Sequence, residues 1–182
     1  RVPKGDNLPR FVCSACQTIH YQNPNIVAGC IPEWDKKILL CRRAIEPRHG
    51  YWTLPAGFME NSETSIEAAA RETLEEAGAH VEVTSLFAIY NLPHINQVYM
   101  MFRSRMSERV YQAGTESLEV ELFNESEIPW DNLAFPVIEE TLRRYYEDVS
   151  RGKFELHIGD LIVTDKKKRL FETHYLQSKT QV

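Results

Sequence analysis

The spacing of hydrophobic and polar positions changes character several times along the chain. Ile26 to Trp34 and Lys37 to Cys41 are rich in strand-forming residues on either side of Asp35-Lys36, a pattern that predicts a β-hairpin. Val81 to Asn91 and Gln97 to Arg105 are strand-like and joined by Pro93-His94-Ile95-Asn96, and Leu118 to Phe123 reads as a further strand. Two stretches instead carry helical signals. In the first, Thr64 and Glu67 fit a capping box, good helix formers follow, and Gly78 stands where a left-handed cap would end the helix. In the second, Pro136 suits a first helical position, and Val137, Ile138, Leu142, Tyr145, Tyr146 and Val149 fall on one stripe, as core packing requires. This order, with the first helix set between strands, predicts an α/β fold in which an α/β/α sandwich surrounds a mixed β-sheet.

The flanks read differently. Residues 1–24 form a lead-in that ends at Asn23-Pro24, residues 25–150 the principal domain, and residues 151–182 a tail. The tail holds an apolar patch, FELHIGDLIV, and a basic run, Lys166 to Arg169, read as a solvated turn. There is no internal repeat.

Composition narrows the function classes. A chain of 182 residues with 43% hydrophobic residues supports one sizeable core. The net charge of −5 argues against a general binder of nucleic acid or anionic membranes, and no apolar run approaches the ~20 residues of a membrane span. No nucleic-acid or membrane partner is therefore expected, and the expected location is the cytoplasm. The first residue is Arg1 rather than methionine, so residues upstream of it are expected. Cys30 and Cys41 lie in apolar strands and read as buried thiols. Cys13 and Cys16 form CSAC, one half of a zinc-ribbon ligand set, since a structural zinc site takes four ligands. Zinc is expected at Cys13 and Cys16 if a second pair precedes Arg1.

The chemistry concentrates in Gly57 to Ala79, GFMENSETSIEAAARETLEEAGA. Glu72, Glu75 and Glu76 are spaced i, i+3 and i+4, which sets three carboxylates on one helix face. Like charges ~4 Å apart repel by roughly 4 kcal/mol at an effective dielectric of 20, so such crowding in a cleft calls for a cation. Carboxylate oxygens suit Mg²⁺ or Mn²⁺ and disfavour zinc. Arg71 is placed to pair with Glu63 from the preceding loop or with Glu67 one turn back.

Gly57, Glu63, Arg71, Glu72, Glu75, Glu76 and Gly78 stand at the spacing G-x5-E-x7-R-E-x2-E-E-x-G. At ordinary residue frequencies the chance of such a match is about 10⁻⁸ per start. The stretch resembles the Nudix box, in which two further bulky aliphatic positions are here Thr73 and Ala79. The resemblance spans roughly residues 25–148. It implies a Nudix fold and hydrolysis of a nucleoside diphosphate linked to another moiety, with a divalent metal assisting the attack of water. Carried onto this chain, it implies metal ligands at Glu72 and Glu76, with Glu75 assisting and the Ala56 carbonyl adding a ligand. Gly57, Glu63 and Arg71 are implied to support them. A carboxylate beyond the box commonly receives the water's proton, and Glu116 and Glu119 in GTESLEVELF are the candidates.

Substrate contacts are less sharply marked. Arg42, Arg43, Trp52 and His94 are candidates to touch it, and Trp52, Phe87, Tyr90 and Tyr99 offer flat rings for stacking on adenine or flavin. The lead-in, NLPHINQVYMMF, GTESLEVELF and IPWDNLAFPVIEETL together resemble a subgroup that includes ADP-ribose and FAD pyrophosphatases, which implies release of AMP. A nucleoside triphosphate pyrophosphohydrolase and a non-catalytic Nudix ligand sensor are the alternatives. Homodimerisation is implied by the family resemblance alone.

Overall fold

The structure, a computed structural model, describes residues 1–165 and 170–176. Two short strands, β1 (Phe11–Val12) and β2 (Ile19–His20), pair with each other in the lead-in. The remaining strands build one sheet: β3 (Asn25–Trp34), β4 (Lys37–Arg43), β5 (Trp52–Thr53), β6 (Ala56–Phe58), β7 (Val81–Leu92), β8 (Gln97–Met106), β9 (Ser117–Phe123), β10 (His157–Asp165) and β11 (Leu170–Tyr175). Their order is β11-β10-β7-β8-β3-β4-β5, with β6 also paired to β3 and β9 to β4. The pairs β3–β8 and β7–β10 are parallel and the others antiparallel, so the sheet is mixed.

The predicted hairpin is β3–β4. Asp35 and Lys36 both take positive φ, the conformation of a tight two-residue hairpin turn. The helices are α1 (Ser65–Ala77) and α2 (Pro136–Arg151). Thr64 and Glu67 form the capping box at the start of α1, and Gly78 closes it with φ +58°.

Alternation along β3 separates the helices. Val27 and Ile31 join a core with Phe87, Leu142 and Tyr145 beneath α2, whereas Ala28 and Cys30 pack with Ala68 and Ala69 of α1. The two helices thus cover opposite faces of the sheet. Val149 departs from the predicted stripe of α2: it is 46% exposed, while Asp148 beside it is buried.

The segment read from sequence as a tail carries two strands of the sheet. β10 lies parallel to β7 with Gly159 opposite Tyr90, and Leu161 is buried in the core. The Lys166–Arg169 run lies outside the described residues. Among the described residues no helix is long and apolar enough to cross a membrane.

Candidate active site

The loop before α1 and the helix itself are held together by Arg71. Its guanidinium donates to both Glu63 oxygens, at 3.0 and 2.8 Å, to the Phe58 carbonyl at 3.1 Å, and to Glu72 and Glu75 at 2.7 and 3.0 Å. Of the two partners open to Arg71, Glu63 is the one it takes. Glu67 instead turns back to the Thr64 amide and hydroxyl. The Arg71 contact and the Glu60 amide together hold the Glu63 carboxyl down to about 2.

Gly57 lies in close approach to the Glu72 side chain. A Cβ there would lie 2.3 Å from the Glu72 carboxylate. The backbone of β6 therefore runs directly against the acidic face of α1.

Glu76 is the deepest acid, 8% exposed. Its carboxylate receives one long hydrogen bond, from the Ala56 amide at 3.3 Å. Burial, reinforced by the neighbouring Glu72 charge, pushes its carboxyl up to about 8. Burial likewise raises Glu72, against the opposing pull of Arg71. Among the described residues no three such side chains converge on one point as a closed metal site, and Arg71 engages Glu72 and Glu75. The donor set still fits a hard divalent cation: crowded carboxylate oxygens, one of them buried and poorly satisfied, with the β6 backbone beside them.

These acids line a cleft of about 1390 Å³. Ala56, Gly57, Arg71, Glu72, Glu75, Glu76, Glu116, His94 and Arg43 all reach it. The structure separates the paired candidates. Glu116 faces the cleft and adds negative charge at Glu72 and Glu76, whereas Glu119 pairs with Arg42 at 2.9 Å across the β4–β9 ladder. Arg42 also donates to the Gly50 carbonyl, while Arg43 donates to the Pro47 carbonyl and lies over the Phe135 ring. Trp52 stands edge-on to Phe123, 4.9 Å between centroids, and packs against the core. Phe87 and Tyr90 are core residues, and Tyr99, though buried, borders the cleft.

The cleft lining also includes Arg48, Tyr51 and Phe135, which sequence reasoning passed over. Arg48 lies over the Tyr51 ring at 5.1 Å, and Phe135 carries Arg43. Arg48 and Tyr51 lie in the loop between β4 and β5, and Phe135 directly precedes α2, so the residues come from two separate stretches of sequence. In the lead-in, the Cys16 thiol contacts the Thr18 hydroxyl at 3.0 Å and is lowered to about 7, chiefly by that contact and then by the Thr18 amide and Cys13. A lowered thiol suits a zinc ligand.

Residues 23–145 match the NUDIX domain family, and residues 1–22 match a zinc-ribbon family described as Nudix N-terminal. An ADP-ribose pyrophosphatase of Methanocaldococcus jannaschii is 35% identical over 121 residues, covering 63% of this chain and 69% of that protein. A NAD-capped RNA hydrolase of Vibrio parahaemolyticus is 30% identical over 145 residues, covering 75% of this chain and 54% of that protein. The chain thus spans about two thirds of the first and about half of the second. The crystal structure of a NUDIX hydrolase from Nitrosomonas europaea superimposes with a TM-score of 0.83 at 57% identity, covering 88% of this chain and 92% of that one.

Proposed function

The chain belongs to the Nudix hydrolase family, and from that premise we propose that it hydrolyses the pyrophosphate of a nucleoside diphosphate linked to a second moiety, with ADP-ribose or FAD as substrate and AMP as a product. The observation that carries this reading is that Glu72, Glu75, Glu76 and Glu116 line one large cleft together with Arg43, Arg48, Tyr51 and Phe135.

In this reading Glu72 and Glu76, assisted by Glu75 and the Ala56 carbonyl, would hold a divalent cation, Mg²⁺ or Mn²⁺. When bound, such an ion neutralises phosphate charge and lowers the pKa of water. Arg71 stays with Glu63 and keeps the loop on the helix. Glu116 receives the proton of the attacking water, since its carboxylate faces the acids and has no hydrogen-bond partner among the described residues. Arg43 is placed to neutralise a substrate phosphate. The cleft is large enough for a dinucleotide-sized ligand. Tyr51 and Phe135 offer faces to a base or flavin ring. Cys13 and Cys16 would contribute two thiolates to a zinc site. Homodimerisation and a cytoplasmic location belong to the same reading.

A second substrate reading is a nicotinamide dinucleotide, favoured by the similarity of 75% of the chain to the Vibrio NAD-capped RNA hydrolase. Incubation with Mg²⁺ and, separately, ADP-ribose, FAD, NADH and a nucleoside triphosphate, followed by chromatography of the products, tests both. AMP from ADP-ribose or FAD is the expected result. Turnover of NADH alone selects the second reading. Pyrophosphate and a nucleoside monophosphate from the triphosphate alone would replace both with triphosphate hydrolysis, and no product from any, with Mn²⁺ also tried, would favour a ligand sensor.

A further inference from the structure

Between β8 and β9 the chain crosses the C-terminal end of α1 and is fastened there. The Gln112 amide donates to the Ala77 carbonyl at 2.8 Å and the Gly114 amide to the Glu76 carbonyl at 3.0 Å. These carbonyls belong to the last turn of the helix, where no intrahelical donor is available. The loop therefore caps the helix that carries the acids. Beyond the crossing, the Ser117 amide donates back to the Gly114 carbonyl at 3.1 Å, and the Glu116 carbonyl accepts from the Ala44 amide at 2.8 Å. Glu116 is thus held on both sides by main-chain hydrogen bonds.

The distance between loop and helix depends on Gly114. A Cβ at this position would lie 1.8 Å from the Glu75 carbonyl oxygen and 2.9 Å from its carbonyl carbon. Both obstacles are backbone of a helix packed on the sheet, so they cannot rotate away, and any side chain must lift the loop. Gly114 has no positive φ to account for its identity; close approach accounts for it.

We propose that Gly114 is a positioning residue: its missing side chain lets the loop lie on the last turn of α1, which sets the Glu116 carboxylate against the acidic face formed by Glu72 and Glu76. The inference rests on the reading of Glu116 as the proton acceptor. Displacing a reacting group by ~1 Å can cost about 10²-fold in rate, so a lifted loop is sufficient to impair turnover without disturbing the fold.

The test compares Gly114→Ala, Glu116→Gln, the double variant, and a chain with one glycine inserted between Gly114 and Thr115. The insertion keeps both amide bonds to the helix and slackens only the segment that carries Glu116. Gly114→Ala is expected to lower kcat by about 10²-fold with KM within about threefold, and to speed amide hydrogen exchange at Gln112 and Gly114. The insertion should lower kcat comparably while leaving that exchange and the melting temperature unchanged. In the Glu116→Gln background, Gly114→Ala should have little further effect, because residues acting as a unit are not additive. Wild-type kcat in Gly114→Ala or in the insertion would overturn the inference, as would losses that multiply in the double variant. Near-wild-type turnover in Glu116→Gln alone would instead remove the assignment of Glu116, and the inference with it. Should Gly114→Ala fail to fold, the insertion decides.

Discussion

The two helices that cover the sheet carry similar charges and use them in opposite ways. Along α2 the three glutamates are paired with arginines on their own helix, Glu139 with Arg143 and both Glu140 and Glu147 with Arg144, and the buried Asp148 at its end is held by His157 and the Glu155 amide. Along α1, Glu72 and Glu75 share Arg71, which is also committed to Glu63, and among the described residues Glu76 makes no ion pair, with only the more distant Arg43 charge opposing its burial. Their buried faces differ in the same sense. Beneath α2 lie Val137, Ile138, Leu142, Tyr145 and Tyr146. Beneath α1 lie Ala68, Ala69, Thr73 and Ala77, small residues that let the helix sit close to the sheet, and the buried Glu76. One helix is built to hold the sheet; the other holds a cluster of negative charge that Arg71 only partly compensates.

The largest expected effect follows from that contrast. Glu76→Gln should lower turnover by about 10³-fold or more, because it removes a charged ligand from the proposed cation site. It should also raise the melting temperature of the metal-free protein by a few degrees, because it removes a buried carboxyl whose ionisation burial opposes. The sign can be checked against pH. A carboxyl raised by folding gives stability that is fully present below its unfolded value near 4.5 and is lost as the pH rises through about 8. Melts in chelator from pH 5 to 9 should therefore decline more steeply for the wild type than for Glu76→Gln. A variant that melts lower than wild type at pH 8 would show that Glu76 stabilises the fold and would break the contrast.

The converse test lies in α2. Leu142→Ala removes a fully buried side chain and should cost about 2–5 kcal/mol in urea unfolding. The kcat of the folded fraction should stay within about twofold. A loss of kcat with retained stability would mean that α2 shapes the site directly.

The same contrast explains what could be read in the sequence. The elements of the catalytic half were legible because local rules fix them: the Thr64 capping box, the i, i+3, i+4 acids, the Gly78 cap and the Asp35-Lys36 turn each lie within a few residues. The α/β/α arrangement followed from element order. What was not legible depends on distant partners. Periodicity placed Val149 on the α2 stripe, but the contacts of the helix end select Asp148, which binds His157 and the Glu155 amide. Nothing local indicated that His157 to Asp165 would lie parallel to β7. Arg42 and Arg43 are neighbours, yet strand alternation and the β9 partner draw one to Glu119 and leave the other facing the cleft. Gly114 reads as an ordinary loop glycine until the helix end is brought against it.

A smaller effect tests the brace between the loop and α1. Pairing with Arg71 lowers the Glu63 carboxyl, so its contribution to stability is present above the unfolded value near 4.5 and is lost as the pH falls through about 2. Glu63→Gln should be less stable than wild type at neutral pH, and the two unfolding curves should converge as the pH falls below 4.5. The same variant should weaken turnover far less than Glu76→Gln, since Glu63 pairs with Arg71 and, unlike Glu76, does not line the cleft. Equal sensitivity of the two variants at pH 7.5 would place Glu63 among the cation's own ligands.

The smallest effect is expected on the outer face of α2. Glu139 and Arg143 are both largely exposed and one helical turn apart, 2.7 Å between charged atoms. Water screens such a pair, and ordering two long side chains offsets much of the attraction, so the coupling should be about 0.3–0.5 kcal/mol. A double-mutant cycle with Glu139→Gln and Arg143→Gln in urea unfolding measures it, and 0.5 M salt should reduce it further. Turnover should be unchanged throughout. A coupling well above 1 kcal/mol would mean that the paired charges of α2 contribute to its hold on the sheet alongside its buried stripe, and the division between a helix stabilised by packing and a helix strained by charge would have to be redrawn.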